Sequence, residues 1–191
     1  MPTEPHAAPS PAPPLAAPVP DAEHVDGPAD APRLLLVYGD YECPYTRAAH
    51  LAVRALQRRP DAPGFRYAFR HFPLREIHPH AQGAAEAAEA AHAQGRFWAM
   101  HDHLFAHQRA LDDADLRAHA AALGLDVARF DRELDACMHA ARVQRDVARG
   151  LAAGVHGTPT LFVDGARWRG GHDAPALAAA LAPSADAPSA R

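Results

Sequence analysis

The 191-residue chain contains no lysine at all and only two cysteines, Cys43 and Cys137. Two cysteines are too few for a disulfide framework or a cysteine-rich zinc site. All 19 basic residues are arginine, scattered among 23 acidic ones for a net charge of −4, so no nucleic-acid footprint is present. The bias towards arginine and alanine carries no functional meaning here. No apolar run approaches the roughly 18 residues that cross a bilayer, which excludes an integral membrane protein. The first 20 residues lack a basic stretch followed by an unbroken apolar one, so no secretory signal is read. The expected compartment is the cytoplasm, where an isolated thiol stays reduced and available for chemistry.

What the chain does have is proline at one end. Eight of its 19 prolines fall in the first 20 residues. Residues 1–28 hold too few large apolar side chains to offset the entropy of ordering, so they are expected to form a Pro/Ala-rich tail. A second tail is expected over 184–191, with one domain over 29–183 between them. Leu34 to Tyr38 read as a buried strand ending at Gly39-Asp40. A helix follows, with Pro44 in its first turn and Tyr45, Ala49, Ala52, Val53 and Leu56 on one face. Phe65 to Phe72 alternate as a second strand. From Pro79 to Gly154 the pattern is helical throughout. Thr160 to Val163, the turn Asp164-Gly165 and Ala166 to Arg169 read as a hairpin, and Asp173 caps a last helix ending near Leu181. The order describes an α/β sheet with a helical insertion over about 76–154.

The sharpest chemical feature is Tyr41-Glu42-Cys43-Pro44-Tyr45-Thr46, where a buried strand gives way to a helix. A thiol there faces unpaired N–H groups and the positive end of the helix dipole, which favour the nucleophilic thiolate. Asp40 and Glu42 oppose this by like charge, and Arg47 supports it. The second feature is Gly157-Thr158-Pro159-Thr160, directly before the hairpin. A proline entering a strand at a glycine-flanked turn is a candidate cis bond.

Together these motifs resemble the DsbA-like branch of the thioredoxin superfamily. The resemblance rests on the segments Tyr38 to Tyr45 and Arg47 to His50, then Arg70 to Leu74, His78 to Ala81, Phe97 to Asp102 and Gly154 to Gly165, and it covers Glu23 to Leu181. It is similar in particular to DsbA-like domains that occur alone in bacterial cytoplasm or fused to sodium/proton antiporters. The resemblance implies an α/β thioredoxin fold with an inserted helical subdomain, and thiol–disulfide oxidoreductase activity. It makes Cys43 the attacking thiol and Pro159 the cis-proline beside it. Thr158 becomes the residue whose backbone meets substrate, with Pro44 and Tyr45 as further positioning residues. Its partners would be protein or small-molecule thiols and disulfides.

The family's motif is Cys-x-x-Cys, and this chain has Thr46 at the fourth position. Threonine cannot resolve a mixed disulfide, though its hydroxyl is placed to hydrogen-bond the Cys43 thiolate. A monothiol cycle is therefore expected, with glutathione or a similar small thiol as co-substrate and no cofactor. Two alternatives use the same groove: a redox-inactive peptide-binding module, and glutathione-transferase-like chemistry. Phe130, Leu134, Cys137 and Ala141 fall on one helical stripe, which makes Cys137 a buried, inert residue; a resolving thiol is the alternative. His103 and His107 share a helix face, but no zinc signature surrounds them, so surface histidines and no metal are expected. His101 is read as a core-edge residue, and Phe97 and Trp98 as core.

Overall fold

A computed structural model describes residues 24–61 and 64–182. Five strands form one sheet in the order β1-β3-β2-β4-β5. They are β1 (His24–Asp26), β2 (Arg33–Gly39), β3 (Phe65–His71), β4 (Thr160–Val163) and β5 (Ala166–Arg167). β2 and β3 pair in parallel through the crossover helix α1 (Pro44–Gln57), and the other pairings are antiparallel. Five helices are inserted between β3 and β4: α2 (Ala81–His92), α3 (Phe97–Ala106), α4 (Asp113–Ala122), α5 (Val127–Asp135) and α6 (Ala140–Ala152). α7 (Ala174–Leu181) closes the domain, capped by the Asp173 carboxylate on the Ala176 N–H.

The central strand β2 is apolar throughout because both of its faces are covered. Leu35 and Val37 face a core that includes Val53 and Leu56 of α1, Phe69 of β3 and Leu177 of α7. Leu36 and Tyr38 face the other side, with Ala68, Phe72 and Phe162. There α6 lies so close to the sheet that a Cβ on Gly150 would come within 2.7 Å of Phe72 and 3.1 Å of Tyr38. α2 is enclosed almost all round: Ala84, Ala87, Ala88, Ala90 and Ala91 are fully buried, and their small side chains admit neighbours on every face. Among the described residues, no helix is long and apolar enough to cross a membrane.

Several expectations need correction. Residues 24–26, assigned to the tail, form β1 against β3. Three residues carry no periodicity; what orders them is tertiary. His24 stacks on Phe97 with ring centroids 3.4 Å apart and bonds Glu89 at 2.7 Å. The expected tails over 1–23 and 184–191 lie outside the described residues. Tyr45 is 72 % exposed, because the buried face of α1 is Thr46, Ala49, His50, Val53 and Leu56. His101 is not at the core edge but fully buried, between the hydroxyls of Tyr41 and Tyr67 at 2.9 and 3.3 Å. Cys137 is exposed. α5 stops at Asp135, so the stripe that placed Cys137 in a core is interrupted by a turn in which Cys137 has φ +49°.

Candidate active site

Cys43 is the N-cap of α1, at the point where β2 has delivered the chain to the end of the sheet. Pro44 supplies the first helical turn, where its missing N–H costs no hydrogen bond. Gly39 sets the closeness of strand and helix: a Cβ there would meet the Phe69 ring at 2.5 Å and the Thr46 methyl at 2.7 Å. The sulfur is held on one side of this junction. Its S–H donates to the Thr158 carbonyl at 3.3 Å, and the Thr158–Pro159 peptide that follows is cis. Strand order explains the meeting, since β4 neighbours β2 and the loop entering β4 arrives beside the end of β2.

Cys43 itself is 3 % exposed, while Pro44 and Tyr45 next to it are exposed. Pro44 and Arg47 line a cleft of about 600 Å³ with His107, Gln108 and Arg109 across from them. α1 has no acidic residue in its first turn, so nothing in that turn offsets the field of its N-terminus. The two carboxylates that precede Cys43 are taken up elsewhere. Asp40 accepts from the Glu42 N–H on one oxygen, and from the Leu74 N–H and His78 Nδ1–H on the other, each at 2.8 Å. Glu42 accepts from the His80 N–H at 2.8 Å. Both therefore tie the cysteine loop to the segment after β3.

Thr46 is buried one turn into α1. Its hydroxyl accepts from the Asp40 N–H at 3.5 Å, and the hydrogen bond of the Cys43 thiol goes to Thr158 instead. Thr158 Oγ1 is buried with no hydrogen-bond partner among the described residues. Arg47, assigned from sequence to the thiolate, donates through Nε to the Phe105 carbonyl at 2.9 Å and so fastens α1 to α3. Sequence reasoning missed Gln108. Its Nε2 donates to the carbonyls of Tyr41 and Cys43 at 2.7 and 2.9 Å, bracing the loop from 65 residues away. No local pattern marks a polar residue for such a task.

Behind the site lies a set of buried ionisable groups. His50 stacks on Phe105 and its pKa is lowered to about 3, by burial first and then by Arg54, Arg58 and Arg47. Burial, reinforced by the charges of His50, Arg54, His71 and His24, also drives His101 well down. For Glu89, burial opposes ionisation, yet hydrogen bonds from His24 and His71 outweigh it and hold the carboxyl well below the usual range. These groups are structural in their contacts, and none is hydrogen-bonded to Cys43 Sγ, whose partner is the Thr158 carbonyl.

Comparison with known proteins bears on the family and the fold. A family model described as thioredoxin matches residues 20–182. The chain is 49 % identical over 162 residues to the Na(+)/H(+) antiporter NhaA 1 of Salinispora arenicola (strain CNS-205), covering 85 % of this chain and 24 % of that protein. It is 44 % identical over 162 residues to the Na(+)/H(+) antiporter NhaA of Herminiimonas arsenicoxydans, covering 85 % of this chain and 25 % of that protein. The chain thus spans about a quarter of the length of these relatives. Among solved structures, a thioredoxin-like oxidoreductase from Silicibacter pomeroyi DSS-3 is 28 % identical with a TM-score of 0.73, covering 83 % of this chain and 90 % of that one. BdbD from Bacillus subtilis is 20 % identical with a TM-score of 0.71, again covering 83 % and 90 %, and shares the fold.

Proposed function

This chain belongs to the thioredoxin family, and on that premise we propose that it is a thiol–disulfide oxidoreductase of DsbA-like type working through Cys43 alone. The observation that carries the reading is the contact of Cys43 Sγ, at the N-terminus of α1, with the carbonyl that precedes Pro159. The thioredoxin-like oxidoreductase of Silicibacter pomeroyi supports the same chemistry by likeness.

In the first step, the Cys43 thiolate attacks a mixed disulfide between substrate and a small thiol. The substrate's S–S bond breaks, a Cys43–small-thiol disulfide forms, and the substrate sulfur leaves as a thiolate that takes a proton. In the second step a further small-thiol thiolate attacks the adduct, releasing the small-thiol disulfide and restoring Cys43. One free small thiol is consumed per turnover, the substrate sulfur is reduced to its thiol and the two small-thiol sulfurs leave as one disulfide, so one S–S bond is broken for each one formed and electrons balance. Thr46 offers no sulfur for an internal resolution, and Cys43 and Cys137 are both free thiols. Pro44, Tyr45, Thr158 and Pro159 flank the attacking sulfur and position the substrate. The compartment we infer is the cytoplasm, whose small-thiol pool supplies the second step.

A second reading, a redox-inactive peptide groove, has one observation in its favour: the 3 % exposure of Cys43. Turnover of a glutathionylated peptide by the whole chain in excess glutathione separates the two. Thiol transfer that disappears in Cys43→Ser supports the enzyme. Peptide binding without transfer supports the groove.

A further inference from the structure

The helical insertion brings together three imidazoles that the thiol chemistry does not use. His103 lies in the last turn of α3, His107 caps that helix, and His119 reaches across from α4. Their ring centroids are 4.1 Å (His103–His107), 4.7 Å (His103–His119) and 5.2 Å (His107–His119) apart. One ring nitrogen from each lies within 4.8 Å of the others.

Two of the rings are oriented from behind by backbone carbonyls. His107 Nδ1–H donates to the His103 carbonyl at 2.8 Å, and His119 Nε2–H donates to the Ala110 carbonyl at 2.8 Å. A carbonyl only accepts, so the nitrogen facing it carries the hydrogen and the opposite nitrogen keeps its lone pair. A ligating histidine is commonly held this way by its second N–H. Among the described residues, none of the three is hydrogen-bonded or ion-paired to a carboxylate. The set is a cluster of imidazole donors with no carboxylate beside it.

We propose that His103, His107 and His119 bind a divalent transition-metal ion of the zinc type. Three imidazoles suit Zn²⁺, with a water in the fourth tetrahedral position on the exposed His107 side. Bonds of about 2.0–2.1 Å put tetrahedral nitrogens about 3.3 Å apart, so binding draws the three rings together. The ion would staple α3 to α4. It would do so one residue from Gln108, which braces the Cys43 loop, and beside the cleft that His107 shares with Pro44 and Arg47.

The test is calorimetric titration of the whole chain with zinc chloride, alongside thermal melts with and without zinc. One ion per chain and a raised melting temperature are expected. His107→Ala, at the exposed C-cap of α3, should weaken zinc affinity more than about 10-fold and remove the melting shift. His119→Ala serves as the buried counterpart. The doubly substituted Cys43→Ser, Cys137→Ser chain should bind as tightly as wild type. Undiminished affinity in His107→Ala, loss of binding in the cysteine-free chain instead, or no saturable binding at all would each overturn the proposal.

Discussion

The side-chain amide of Gln108 donates to the backbone carbonyl of Cys43 at 2.9 Å, and the same nitrogen reaches the Tyr41 carbonyl at 2.7 Å. The residue that anchors the helical insertion to the thioredoxin sheet thus holds the two carbonyls that flank the site. Gln108→Ala leaves both without this donor. The expected cost is about 1–2 kcal/mol in urea unfolding, with slower thiol transfer than a mutation of equal cost elsewhere. Transfer at the wild-type rate would show that the brace is structural only.

Acid should weaken the fold before it reaches the carboxylates. The unfolded chain protonates His50 below its ordinary 6.5, whereas the folded chain keeps it neutral down to about 3. Between those values the unfolded state binds more protons, so stability falls as pH falls through that window and is complete above it. The slope is up to about 1.4 kcal/mol per pH unit for this group. His101 acts in the same direction. Urea unfolding of His50→Phe as a function of pH should show a shallower acid limb than wild type.

Cys137 is exposed in the left-handed region at φ +49°, a conformation that costs most residues about 1–2 kcal/mol and glycine little. Cys137→Gly should therefore be neutral or stabilising by about 1 kcal/mol in thermal melts. Cys137→Ser should change stability by less than about 0.5 kcal/mol and leave thiol transfer intact. A lost turnover in either variant would make Cys137 the resolving thiol.

The interior of α2 has no spare room. Ala88 is fully buried among α2's neighbours, so Ala88→Leu should destabilise by about 1–3 kcal/mol through overpacking. A thermal melt reads this directly, and an unchanged midpoint would mean that the helices part at little cost.

Strands β2 to β5, the crossover and closing helices and the two motifs that meet at the site were legible because each is written locally. An apolar run marks β2, Asp173 marks a helix start, and Asp164-Gly165 marks the hairpin turn. What escaped depends on partners distant in sequence. β1 is ordered by Glu89 and Phe97, more than 60 residues on. Tyr45 fits an apolar stripe by spacing, yet the helix is rotated so that Thr46 and His50 are buried instead. Gln108 and His119 carry no signature of their own. Cys137 was misplaced by a stripe that a single turn interrupts.

The most direct test of the central claim is intact-protein and peptide mass spectrometry after mixing the chain with a glutathionylated peptide in the absence of free thiol. The account predicts that wild type stops with one glutathione on Cys43, cleared only when glutathione is added. Thr46→Cys should pass through that adduct to an internal disulfide between Cys43 and the introduced thiol. An adduct carried by Cys137, or wild-type chain that stays unmodified while the peptide keeps its glutathione, would contradict it.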